Sequence, residues 1–450
     1  MSKYKLIADF DCSSIEQIDE NDVICVRVPF LPGGEPIRGI QSVVSTLKKN
    51  CIFPSEIGFD ILTLATMVYL ADTRISRQTH GQDSWSREIQ LEVSVSDSIL
   101  WNEQARLINR MLKFLTGDFW SVSFTSRAWK FVQEEKAEEK SGAYDRATLF
   151  SGGMDSLIST INLMETKNNA LLIGHAGEGF TKNAQTNLLA KFDAKYTDLL
   201  HTLVDFWLSF PDCYIPGGGN DNNTRSRSFL FIGLGLFTIT GTANIKELMV
   251  PENGLIALNV PLDETRVGSF STRTTHPFYL ELWNKLLAEL GLDLSVINPY
   301  WNKTKGEMAD ECLNKEFLFD TMKISFSCSS PGKARWKGLS PQHCGYCVPC
   351  LIRRAAMYKA FGDDGTVYTE RSISSMIANS ATGIGIQLRS FQYAIGKIKE
   401  HPGIEKILIH KPGPLPDDNE YLDELAATYK RGLLEVDTFI NAMTEKERNG

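Results

Sequence analysis

The sequence predicts an α/β protein built on a doubly wound parallel sheet with a metal knot, plus an N-terminal α+β domain and a C-terminal helical segment. Three observations predict it. From Arg146 onward, short apolar runs alternate with stretches of helical spacing, the pattern of repeated βαβ units. A glycine loop, Ser151-Gly152-Gly153-Met154-Asp155-Ser156, falls where the first such strand gives way to a helix. Four cysteines, Cys328, Cys344, Cys347 and Cys350, cluster late in this region, while Cys12, Cys25, Cys51, Cys213 and Cys312 are scattered.

At 450 residues the chain exceeds what one hydrophobic core usually serves, and three segments are expected: 1–143, 144–361 and 362–450. In the first, Ile24–Phe30, Ser86–Ser96 and Phe119–Phe124 carry β-branched or alternating patterns, and Phe59–Arg74 and Ile99–Leu115 carry helical spacing. The charged run Glu134–Lys140, followed by Ser141-Gly142, marks the first boundary. Beyond it the expected strands are Ala147–Phe150, Ala170–Ile173, Leu200–Asp205, Glu247–Val250 and Leu294–Ile297. The expected helices between them are Ser156–Thr166, Ala184–Phe192, Ser226–Thr238 and His276–Leu290. A parallel sheet of this kind binds ligands at the carboxyl ends of its strands. The second boundary lies near Gly362-Asp363-Asp364-Gly365, and the last segment is mainly helical, with Asn419–Thr444 the strongest pattern after a break at Lys411-Pro412-Gly413-Pro414. There is no internal repeat.

Composition narrows the partners. Hydrophobic residues at 42% and charged residues at 23% leave no ground for general disorder. Forty-seven Lys and Arg against 55 Asp and Glu give a net charge of -8, the wrong sign for a protein organised around a nucleic-acid backbone. The longest apolar runs, Ile61–Ala71 and Phe229–Ile239, fall short of the roughly 20 residues that span a bilayer, so no membrane partner is expected. The N-terminus lacks the apolar stretch of a secretory signal, which points to the cytoplasm.

The glycine loop has the context of a phosphate site. Two glycines let successive backbone N–H groups point into one concavity, and the start of the following helix favours an anion. Ser151 and Ser156 can add hydroxyl donors, and Asp155 makes sense beside phosphate if Mg²⁺ mediates. A plain strand-to-helix turn with Asp155 as cap would use the same residues. The loop lacks the Gly-Lys-Ser/Thr ending of the Walker pattern and is not Gly-x-Gly-x-x-Gly. In the cysteine cluster, Cys344, Cys347 and Cys350 are spaced by threes with Cys328 upstream, which suits a closed tetrahedral Zn²⁺ site of structural type. An iron–sulfur centre on the same thiols is the alternative. His343 adjoins Cys344 and is expected beside the metal rather than on it.

The Ser-Gly-Gly-x-Asp-Ser loop after a first strand resembles the signature of the PP-loop ATP pyrophosphatases. With the later Cys-Gly-Tyr-Cys-Val-Pro-Cys-Leu-Ile-Arg of residues 344–353, and with Asn298–Glu307, the chain resembles the 7-cyano-7-deazaguanine synthase family over about Arg146–Ala360. Added N- and C-terminal segments make it similar to the enlarged synthase-like proteins of the Qat anti-phage defence system.

The resemblance implies ATP, Mg²⁺ and Zn²⁺ as cofactors and cleavage of ATP between its α and β phosphates. AMP would pass to the carboxylate of a 7-carboxy-7-deazaguanine-like molecule, for attack by ammonia or by an amine of a partner protein. It places Ser151, Gly152, Gly153, Met154, Asp155 and Ser156 on ATP and His175 near the adenine. It assigns Arg227 to phosphate or carboxylate and Lys305 to the charge that develops as pyrophosphate leaves. Glu252 and Asn253, just past the fourth strand, should face the substrate. Cys213 could serve sulfur chemistry, although such cysteines are usually small buried hydrophobes. Two other readings stay open: a tRNA-modifying PP-loop enzyme, and a nucleotide-sensing scaffold of a defence complex.

Overall fold

The computed structural model describes residues 3–20, 23–30, 38–131, 142–176, 179–221, 225–264, 273–363 and 365–449. The charged run Glu134–Lys140 lies outside them.

The first sheet comprises β1 (Lys3–Asp9), β2 (Glu16–Glu20), β3 (Val23–Pro29), β4 (Glu88–Val95) and β5 (Phe119–Ser126), in the order β2-β3-β1-β4-β5. Only β2 and β3 pair antiparallel; β1 runs parallel to β3 and β4, and β4 parallel to β5. The α+β expectation for residues 1–143 therefore gives way to a mixed, largely parallel sheet with crossover helices. The reason lies in its burial. β4 alternates buried and half-exposed residues along its whole length because helices cover one face only. Alternation usually signals an antiparallel sheet with one solvated face, and here a one-sided parallel sheet produces it. β1 and β2 were absent from the sequence reading; the alternating Lys3–Asp9 carried a usable signal.

The second sheet comprises β6 (Arg146–Leu149), β7 (Ala170–His175), β8 (His201–Phe206), β9 (Glu247–Met249) and β10 (Ser295–Ile297). Its order is β10-β9-β6-β7-β8, every pairing parallel. Helices Met154–Glu165, Gly179–Lys195, Arg227–Ile239 and Pro277–Glu289 fall where the periodicity places them. The chain runs outward from β6 through β7 to β8, then returns to β9 on the other side of β6. That reversal is the topological switch point, the crevice in which doubly wound sheets hold ligands.

The two sheets share one hydrophobic core, which runs from Leu6 and Leu62 through Trp101 to Leu149, Phe229 and Trp283. Its seam is the crossing of helices Glu56–Arg74 and Arg227–Ile239. At Gly233 a Cβ would come within 2.6 Å of the Ala65 methyl, so the small residue permits the close approach. The first sheet and its helices thus form a wall of the α/β unit. The segment after 362 is equally integrated: helix Asn419–Asn449 shares a second core with Leu255, Leu258, Cys350, Leu351 and Phe391. No described helix is long and apolar enough to cross a membrane.

A buried ionic hub fastens the first sheet to the start of helix Arg227–Ile239. Arg77 Nη2 lies 2.6 Å from Asp72 and 2.5 Å from Asp118, and Arg87 Nη2 lies 2.8 Å and 2.7 Å from the same carboxylates. Asp72 also accepts the Ser226 N–H at 2.7 Å, immediately before Arg227. Burial alone would raise the Asp72 carboxyl, but Arg77 and Arg87 overcome it and hold the group below its ordinary range. Its stabilisation is present above the ordinary carboxylate range and fades as the pH falls beneath it. Asp72→Ala would leave two buried guanidinium groups to share the Asp118 carboxylate, with an expected cost of about 3–5 kcal/mol. Urea unfolding measures it, and a loss below about 1 kcal/mol, the scale of an exposed pair, would refute the hub.

Candidate functional site

The glycine loop leaves β6 at the switch point. Gly152 has φ +78°, the left-handed region that glycine enters without strain, and a Cβ there would crowd Gln185 at 3.2 Å. Its carbonyl accepts the Phe326 N–H at 2.8 Å, which ties the loop to the chain leading into Cys328. Gly153 precedes helix Met154–Glu165, and no side chain caps its first turn. Those N–H groups remain available to an anion. Ser151 Oγ lies 3.2 Å from Ser156 Oγ and 3.3 Å from the Gly153 nitrogen. Met154 is wholly buried among Leu157, Phe192 and Met308, so its side chain serves the core.

Asp155 lies on the first turn, only 6% exposed. Its Oδ1 meets Lys305 Nζ at 3.0 Å, a charge contact without the alignment of a hydrogen bond. Its Oδ2 accepts from Asn253 Nδ2 at 2.9 Å and from the Asn253 N–H at 3.2 Å. Both oxygens are taken by protein. Asn253 Oδ1 in turn caps helix Gly254–Leu258 through the Ile256 N–H. Asn253 is fully buried, and both ends of its amide are engaged within the protein.

Lys305 is 5% exposed and opens helix Lys305–Asp310, held by a capping box between Thr304 and Glu307. The C-terminal helix secures that turn. Glu435 accepts from Thr304 Oγ1 at 2.6 Å and from the Gly306 N–H at 2.9 Å, and Arg431 Nε donates to Glu307 at 2.8 Å. A Cβ at Gly306 would sit 2.3 Å from Glu435 Oε2, so a side chain there would displace that carboxylate.

Glu252 follows β9. Its N–H donates to Asn298 Oδ1 at 3.2 Å and its carbonyl accepts from Asn298 Nδ2 at 2.8 Å. The residue keeps some solvent contact, yet its carboxyl group is densely surrounded. Burial and the neighbouring Asp155 charge push that carboxyl up to about 7, against the pull of Lys305.

Two cavities meet at these residues. One, of about 810 Å³, is lined by Ser151, Thr181, Arg227, Ser228, Phe231 and Lys333 among others. The second, of about 450 Å³, is lined by Glu252, Lys305, Tyr346, Ile352, Gln387 and Phe391 among others. Thr274, Ser327, Ser329, Ser330 and Lys333 line both. Arg227 is exposed at its helix start and, among the described residues, pairs with no carboxylate. A cation left without a counter-charge in a cavity suits an anionic ligand.

The four cysteines converge. Their sulfurs all lie within 4.8 Å of one another, with Cys328–Cys347 and Cys344–Cys350 each at 3.9 Å. Four thiolates about 2.3 Å from a tetrahedral ion stand roughly 3.8 Å apart, so the set fits a metal such as zinc. Backbone N–H groups of Cys344 and Ser330 point at Cys328 Sγ, and that of Cys347 at Cys344 Sγ. Gly345 makes the turn at φ +89°, where a Cβ would collide with the Glu370 carbonyl. His343 packs behind the knot, its Nε2 3.2 Å from the Ser325 carbonyl oxygen.

His175 is 1% exposed between Tyr69 and Phe231. Burial, aided by Arg227, drives its pKa down to about 4, and it lines neither cavity. Cys213 is exposed and lines neither cavity. Lys333, Gln387, Phe391 and Glu435 were missed by sequence reasoning. Lys333 belongs to the basic stretch Lys333–Lys337, a local signal, whereas the other three are brought in only by tertiary packing. Compared with models of known protein families, the chain matches none. No curated protein matches it either.

Proposed function

We propose that this protein binds Mg·ATP on the Ser151–Ser156 loop and transfers AMP to the carboxylate of a flat, deazapurine-like acid held in the adjoining cavity, for displacement by an amine. The observation that carries the reading is the buried Asp155–Lys305 pair, set at the switch point between the glycine loop and a second cavity. A lysine fixed there can neutralise charge that grows on the phosphates as pyrophosphate departs. The triphosphate brings its own Mg²⁺. Two abutting cavities that share one wall give the nucleotide and the acceptor a pocket each, with their reacting ends meeting near Lys305.

The decisive measurement is acid-dependent exchange of labelled pyrophosphate into ATP, followed by AMP release when ammonium is added. Intact ATP binding without exchange, across deazapurine carboxylic acids, would point to a nucleotide-sensing scaffold. Tight, salt-sensitive tRNA binding would point to an RNA-modifying enzyme. Arg227→Ala should raise the KM for ATP about 10- to 100-fold, the loss of one charge-assisted contact of roughly 1.5–3 kcal/mol. An unchanged KM would remove Arg227 from the nucleotide.

A further inference from the structure

We propose that Glu252 is the general base of the second half-reaction, taking the proton from the amine nitrogen as it attacks the activated carboxyl carbon. The inference rests on the adenylation reading above and adds a catalytic residue to it.

Its ground is the contrast between Glu252 and the other deep carboxylates of the fold. Asp60 pairs with Arg127, Asp72 and Asp118 with Arg77 and Arg87, and Asp155 with Lys305. The Glu252 carboxylate has one hydrogen-bond partner among the described residues, the Thr275 hydroxyl at a long 3.4 Å. The cation nearest in effect, Lys305, is occupied by Asp155. Glu252 lines the acceptor cavity while Asn298 clamps its backbone on both sides, so the residue is fixed at the cavity and, among the described residues, only Thr275 donates to its carboxylate. A buried carboxylate left without a cation is costly, and active sites are where such arrangements recur. The charged groups that bear on it are Asp155 from helix Met154–Glu165 and Lys305 from helix Lys305–Asp310. Lys333 and Tyr346 stand on the wall of the same cavity. Burial and Asp155 bring the carboxyl to about 7, which suits a base working near neutrality.

The step balances as follows. The neutral amine forms a bond from nitrogen to the acyl carbon, and the resulting ammonium nitrogen gives one proton to a Glu252 oxygen. The carbon–oxygen bond to the phosphate then breaks, and AMP leaves with that electron pair. Glu252 returns its proton to solvent through the cavity mouth.

The test uses Glu252→Gln and Glu252→Asp in the full-length protein, with the two half-reactions read separately. Expected for Glu252→Gln is amide formation reduced about 10²- to 10⁴-fold relative to pyrophosphate exchange. The rise in amide formation through pH 7 should also be lost, while Glu252→Asp restores part of the rate and keeps a pH-dependent limb. Folding is checked by urea unfolding. Because the folded carboxyl titrates above its ordinary 4.5, wild-type stability should decline as the pH rises from there through about 7, and Glu252→Gln should escape the decline. An unaltered ratio of amide formation to exchange, or an unaltered pH profile in Glu252→Gln, overturns the assignment. So does an equal loss of both half-reactions, which would mark a substrate contact. Failure of exchange in the wild-type protein instead overturns the adenylation reading itself.

Discussion

Stripping the metal from the four-cysteine knot should unfold the C-terminal half of this protein and free the phosphate loop with it. The sulfurs stand at tetrahedral spacing, and the cysteines are embedded in one core with Leu351, Ile373, Leu388, Phe391 and Leu425. Four buried thiols without an ion cannot hold that spacing by attraction, since thiol hydrogen bonds are weak and thiolates repel. Structural zinc in small domains supplies on the order of 10 kcal/mol of binding free energy, which acts as folding free energy. Here the knot anchors the chain from Phe326 to Ser330, which bonds Gly152 and lines both cavities. Elemental analysis should return one zinc per chain, and Cys347→Ser or a strong chelator should remove it. Either treatment should abolish ATP binding and split thermal unfolding into two transitions, and added Zn²⁺ should reverse this in the chelated protein with its four cysteines intact. A metal-free chain with unchanged unfolding and ATP affinity would show that the thiols alone suffice. Visible charge-transfer absorption with stoichiometric iron would assign the knot to an iron–sulfur centre instead.

How far the sequence could see depends on the range of the interactions involved. The second sheet was legible because its strands are short apolar runs, with Ala170–His175 buried on both faces, and stretches of helical spacing separate them. The glycine loop and cysteine cluster were legible because their chemistry is compressed into a few neighbouring positions. Direction of pairing in the first sheet was not, since alternation records burial and says nothing of which strand lies alongside. The Asp72–Arg77–Arg87–Asp118 hub joins residues up to 46 apart in the chain, where no local period exists. Its first pair, Asp72 and Arg77, reads as an ordinary helix-end charge pair. The same holds for the C-terminal segment. Asn419–Asn449 was visible as a helix, but that Glu435 would seat Lys305 required the folded chain.

Lys305→Ala should suppress pyrophosphate exchange about 10²- to 10³-fold, the scale for removal of one preorganised charge from a developing anion. The variant should also be less stable, because Asp155 keeps its two contacts from Asn253 but loses its cation while buried next to Glu252. Breaking such a pair costs about 3–5 kcal/mol. The absent cation also ceases to oppose burial at Glu252, so that carboxyl should titrate still higher, and the pH limb of any residual amide formation should move upward with it. A double-mutant cycle separates the structural loss from the chemical one. Asp155→Asn alone leaves Lys305 as an unpaired buried cation and should destabilise on its own. Combined with Lys305→Ala, it removes both charges together, so much of the stability should return. Exchange should not return with it, because the cation fixed beside Asp155 is gone. Recovery of exchange together with stability would mean that the pair only supports the fold, and the positive charge for departing pyrophosphate would have to come from another basic group on the cavity walls, such as Arg227 or Lys333.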